Sequence, residues 1–96
     1  MQMDEGLDTG DMLAQASCAI EQTDTSASLH DKLAQLGADQ LMKCVSELAS
    51  GQSLSATVQD NDQACYAHRL SKPDAEIDWQ QPADVIARQV LSLIHI

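Results

Sequence analysis

Between Ser26 and Ser50 the chain sets apolar side chains at helical spacing. Leu29, Leu33 and Leu36 follow the i, i+4, i+7 pattern of one face, and Leu41, Val45 and Leu48 repeat it. No other feature restricts the fold as strongly, because a stretch of this kind excludes an all-strand architecture. Thr23, Asp24, Thr25 and Ser26 offer side-chain acceptors where a helix must satisfy its first free N–H groups, which predicts a start near Ser26. The two triplets are out of phase, with five residues from Leu36 to Leu41 and Gly37 in the gap. The phase break predicts two helices joined at a corner, the second beginning near Asp39 and closed by Gly51, since glycine readily takes the left-handed conformation that ends a helix.

Upstream, Met12, Ala14, Ala16, Cys18 and Ile20 are apolar at every second position, with Gln15 and Ser17 between them. Period two predicts a strand from Met12 to Ile20. Downstream, Gln52 to Ala64 is rich in Ser, Gln, Asp and Asn, with Leu54 and Val58 its only larger aliphatic side chains, and reads as a linker. Tyr66 to Lys72 has an extended pattern, Lys72-Pro73 blocks helix at that point, and Ile77 and Trp79 alternate about Asp78. Pro82 then opens a last helix through Ile86 and Val90.

A 96-residue chain buries only about 60 to 65% of its unfolded surface. Trp79 and Tyr66 are its only aromatic residues, so few large side chains can anchor a core. The formal charge of −10 is uneven: from Met1 to Asp62 eleven acids against Lys32 and Lys43 leave −9. Beyond Asp62, Arg69, Lys72 and Arg88 stand against four acids and leave −1. The whole chain repels nucleic acid at long range, so a nucleic-acid partner would need most of its basic surface elsewhere. Cys18, Cys44 and Cys65 match neither metal spacing nor a disulfide framework, which predicts free, buried thiols and a reducing cytoplasm. No apolar run approaches the roughly 18 residues of a membrane span, and the acidic start is unlike a signal peptide.

Chemistry concentrates in Met3-Asp4-Glu5-Gly6-Leu7-Asp8-Thr9-Gly10-Asp11-Met12, where four acids surround two glycines. Glycines let a ligand approach the main chain, and a carboxylate on such a turn can orient a reacting group or relay a proton. Leu7-Asp8-Thr9-Gly10 invites an aspartic-protease reading. The helical Ser26 to Ser50 stretch, the lack of a glycine-rich flap and Asp11 in place of a small apolar residue exclude it. Asp4, Glu5, Asp8 and Asp11 do not match the spacing of a calcium loop, and His30, His68 and His95 match no ligand spacing, so no metal is expected.

The run of motifs as a whole resembles the methionyl-tRNA formyltransferase family. Met1 to Leu13 looks like that family's loop and following strand, and Asp24-Thr25-Ser26 with Leu29-His30-Asp31-Lys32-Leu33 looks like its next helix start. Gln59-Asp60, Tyr66-Ala67, Leu70-Ser71-Lys72, Asp74-Ala75 and Ile77-Asp78-Trp79 follow in the family's order and spacing. Pro73 falls at a variable position, and the resemblance extends from Met1 to about Val90.

The resemblance implies transfer of a formyl group from 10-formyltetrahydrofolate to the amino group of methionine on initiator tRNA, without a metal, by a cytoplasmic, monomeric parent enzyme not bound to a membrane. Attack by the amine generates an oxyanion and releases a proton, and the family meets both needs with an Asn, a His and an Asp. Only the Asp maps here, as Asp8; nothing matches the other two. Asp4, Gly6, Leu7 and Gly10 are implied to line the folate pocket, and Arg69 and Lys72 to contact tRNA phosphates. The implied fold is α/β: residues 1–51 complete a Rossmann-like catalytic domain, 52–70 link, and 71–90 open an OB-like β-barrel domain. After Val90 the family pattern stops, and Leu91 to Ile96 read as foreign. The chain is thus expected to be an internal, inactive fragment. The alternative from another class is a small helical interaction module that docks a partner through the Leu29 to Leu48 faces.

Overall fold

Thr25 and Ser28 start the first helix reciprocally: Thr25 Oγ1 accepts the Ser28 N–H at 3.2 Å, and Ser28 Oγ accepts the Thr25 N–H at 2.9 Å. This is a capping box, which satisfies donors a helix start leaves free. The helix, α1, spans Ser26–Ala49 without interruption in the computed structural model, which describes residues 1–94. Its end is the one the sequence predicts. Gly51 has φ 84°, its N–H donates to the Leu48 carbonyl at 3.1 Å, and the Gln52 N–H donates to the Glu47 carbonyl at 3.1 Å. That pair of bonds is a Schellman closure, for which the left-handed residue is required.

The corner predicted at Gly37 is not formed. A five-residue step turns the apolar stripe by about 140° around the axis, which rotates the face without breaking any i to i−4 bond. Glycine inside a helix costs only about 1 kcal/mol relative to alanine, and the rest of the 24-residue helix carries it. Asp39, expected at a second start, instead lies mid-helix and accepts a hydrogen bond from Gln35 Nε2 at 3.1 Å.

The strand predicted from Met12 to Ile20 is likewise corrected. Met12 forms an isolated antiparallel bridge with Thr57, with N–H to carbonyl distances of 2.8 and 2.9 Å, and the alternation beyond it has no ladder. Alternation specifies two faces but supplies no partner, and a strand exists only where a second one takes its hydrogen bonds. Among the described residues the α/β expectation is therefore met only in its helical part. After a short 3₁₀ turn at Asn61–Gln63, a second at Lys72–Ala75 accommodates Pro73 in its first turn, where no N–H is needed. Pro82 caps α2, Ala83–Leu93, so Leu91 to Leu93 continue the helix predicted through Val90. His95 and Ile96, part of the tail expected to be foreign, lie outside the described residues.

Contacts group the chain into two units, Met1–Ser17 with Ala34–Tyr66, and Cys18–Leu33 with Ala67–Ile96. In the first, the N-terminal loop is tied to the segment around Thr57 and Gln59. In the second, Gln89 of α2 donates to the carbonyls of Asp74 at 3.1 Å and Glu76 at 2.9 Å. No described residue with an apolar side chain is buried. The thiols follow suit: Cys18, Cys44 and Cys65 are free as expected, but Cys18 and Cys65 are exposed and Cys44 is only half-buried. No described helix is long and apolar enough to cross a membrane.

Candidate functional site

Asp4 organises the N-terminal loop. Its Oδ1 accepts the Gly6 N–H at 3.0 Å and the Thr9 hydroxyl at 2.6 Å, folding the chain back on itself as an aspartate two residues before a turn can do. Gly6 must stay bare, because a Cβ there would run into Thr9 Oγ1. Gly10 must too, since a Cβ would collide with the Gln2 backbone carbonyl, and Gly10 is buried. The Gln2 N–H donates to the Asp11 carbonyl at 2.8 Å and closes the loop from the other side.

Within this frame Asp8 has φ 54°, the only positive φ of a non-glycine residue among the described ones. Aspartate tolerates the left-handed region better than most residues, and such outliers persist where surrounding bonds over-determine them. The bonds here fall on the main chain: Gln59 Nε2 donates to the Asp8 carbonyl at 3.0 Å and the Gly10 carbonyl at 2.6 Å. The Asp8 carboxylate is exposed and has no hydrogen-bond partner among the described residues, so it is free to act on a ligand. Leu7 beside it is 70% exposed.

The structure thus brings Asp4, Gly6, Leu7, Asp8 and Gly10 together on one loop, with Asp4 engaged internally rather than outward. Arg69 and Lys72 belong to the other unit. Both are exposed, and neither has an acidic partner among the described residues, whereas Lys32 pairs with Asp24 at 2.7 Å and Arg88 with Asp84 at 3.2 Å. Asp74, which shares a 3₁₀ turn with Lys72, accepts from the Ser71 N–H at 2.7 Å and the Ser71 hydroxyl at 3.1 Å. These bonds hold its carboxyl below the usual aspartate range.

Sequence reasoning missed Gln59 as part of the site. Gln59-Asp60 is one of the motifs that carry the resemblance, but nothing local marks a glutamine 49 residues away as a partner of Gly10. A separate groove of about 610 Å³ in the second unit is lined by Ile20, Leu29, Ala87 and Leu91 and by none of the predicted site residues. Of its charged lining groups, Asp24, Asp84 and Arg88 serve ion pairs and Glu21 does not.

The loop lies within a stretch that is similar to known proteins. Residues 1–45 match the family model described as Formyl transferase. Over 90 residues, 94% of this chain, the sequence is 48% identical to the methionyl-tRNA formyltransferase of Nitrosococcus oceani, and over a stretch of the same length it is 50% identical to that of Acidovorax ebreus. In each case the chain spans 28% of the relative's length. The resemblance carried by the motifs therefore holds as measured similarity along nearly the whole chain, which matches a segment of methionyl-tRNA formyltransferases.

Proposed function

We propose that this chain is a segment of an enzyme that transfers a formyl group to the amino group of methionyl-initiator tRNA, and that Asp8 is its catalytic carboxylate. The observation that carries the reading is the left-handed, externally clamped Asp8, whose carboxylate is left unpaired on a loop within the stretch similar to formyl transferases. A neutral amine must lose a proton as it is acylated, and an exposed carboxylate in a fixed position can accept that proton or orient the amine. 10-Formyltetrahydrofolate supplies the formyl carbon. The loop suits a flat ligand, because Gly6 is exposed without a side chain and Leu7 offers apolar contact. Asp4 supports that wall by holding Gly6 and Thr9.

Residues 1–51 then belong to an α/β catalytic domain that supplies the sheet Met12 to Ile20 lacks here, residues 52–70 link, and residues 71–90 open a barrel domain. Arg69 and Lys72, unpaired at the end of the linker, are suited to phosphates of the acceptor stem. The charge of −10 on this chain puts the main basic surface for tRNA on the rest of a monomeric, cytoplasmic enzyme.

The test is formylation of methionyl-tRNA by the full-length protein carrying this segment. Asp8→Asn keeps the shape and removes the base, so kcat falls by roughly 10² to 10⁴ with an unchanged circular dichroism spectrum. Activity close to that of the unsubstituted protein would make Asp8 a turn residue only.

A further inference from the structure

We infer that Gln59 is a positioning residue that holds the Asp8 carboxylate in its working direction by clamping the loop's main chain. The inference rests on the reading of Asp8 as the catalytic base. The bridge between Met12 and Thr57 sets an antiparallel register, and two residues further along each segment that register brings Gly10 opposite Gln59. Backbone pairing does not continue there; the side-chain amide of Gln59 replaces it. An amide nitrogen carries two hydrogens, and Gln59 Nε2 uses them on the Gly10 carbonyl at 2.6 Å and the Asp8 carbonyl at 3.0 Å. One planar group therefore spans Asp8-Thr9-Gly10 from outside.

That span matters because Asp8 sits at φ 54°, a left-handed conformation that persists where neighbours fix it. Gln59 is half-buried while almost every residue around it is exposed. Its counterpart Gly10 is buried and has no room for a side chain. This backbone sets the direction of the Asp8 Cα–Cβ bond, from which the carboxylate extends with no hydrogen-bond partner among the described residues. Loosening the clamp lets Asp8 relax to negative φ and swings its carboxylate away.

Two isosteric substitutions in the full-length protein test this. Gln59→Glu turns both donors into a carboxylate oxygen facing two carbonyl oxygens, and Gln59→Met removes the bonds without adding charge. Both should lower kcat per folded molecule by roughly 10- to 100-fold, the scale of a small misplacement of a reacting group. The KM for methionyl-tRNA should stay within about twofold, because tRNA binding energy is untouched. A purely structural Gln59 would lower the melting temperature and leave kcat per folded molecule unchanged. Gln59→Met with unaltered kcat beside an inactive Asp8→Asn overturns the clamp and leaves the base in place, whereas an active Asp8→Asn overturns the reading on which the clamp rests. If Gln59→Glu fails to fold, Gln59→Met decides.

Discussion

At the residue scale, Asp24 illustrates how a side chain read only as part of a helix start turns out to carry the local electrostatics. It accepts Lys32 Nζ at 2.7 Å, the Ser28 hydroxyl at 2.7 Å and the Glu21 N–H at 2.8 Å, and its side chain is only 7% exposed. The Lys32 ammonium first, then Ser28 and the Glu21 N–H, lower its pKa from 3.8 to about 2, and the same pair raises Lys32 above 10.5. A depressed carboxyl contributes stability that is fully present above 3.8 and is lost as pH falls through about 2. Lys32 contributes below 10.5 and loses its contribution as pH rises beyond its folded value. At about pH 3 an ordinary aspartate is mostly protonated, but Asp24 should remain ionised in carbon NMR of its side-chain carboxyl. Lys32→Met should move its titration back toward 3.8; a midpoint already near 3.8 with Lys32 present would refute the pairing. Legibility at this scale divides by range. The tight turn at Gly6, Asp8 and Gly10 is legible because glycines bracketing an aspartate favour one, whereas the place of Gln59 against it is not, because its partners are distant in sequence.

At the element scale, α1 and the closure that follows it carry one glycine each, and the two should respond oppositely to the same change. Gly37 lies inside the helix with open space where a Cβ would be, so Gly37→Ala should stabilise the full-length protein by about 0.5 to 1 kcal/mol. Gly51 also has open space, but its φ of 84° belongs to the Schellman closure. Gly51→Ala should therefore destabilise by about 1 to 2 kcal/mol. Urea unfolding of the two variants checks the pair, and equal signs would contradict the single continuous helix. Sequence periodicity reports which face is apolar, and the shift between Leu36 and Leu41 is a rotation of that face, a phase change that two helices joined at a corner would show equally. The ends of α1, by contrast, are legible, because Thr25 and Gly51 act through bonds spanning only a few positions; Ser28, the other half of the start, is not singled out by its sequence position.

At the scale of the whole molecule, the apolar helix faces and the alternation from Met12 to Ile20 are patterns that find little to pack against among the described residues. Leu33, Leu41, Val45 and Leu48 remain at least half exposed, and Ala14 to Ile20 alternate beside no neighbouring strand. Burial stabilises a fold by about 25 cal/mol per Å² of apolar surface, while ordering each residue costs about 1 to 2 kcal/mol in backbone entropy. With no apolar side chain buried among the described residues, the first quantity cannot offset the second for the chain by itself. The 96-residue chain alone should thus lose its helical signal gradually in urea, with no sigmoidal transition and little heat uptake by calorimetry. It should also give no formylation of methionyl-tRNA, since a clamp can hold Asp8 only where the chain that carries it is held. A sharp, calorimetrically cooperative transition would mean that the apolar faces find partners within these residues after all. Measurable turnover would mean that Asp8 completes a site without the Asn and His that no residue here matches.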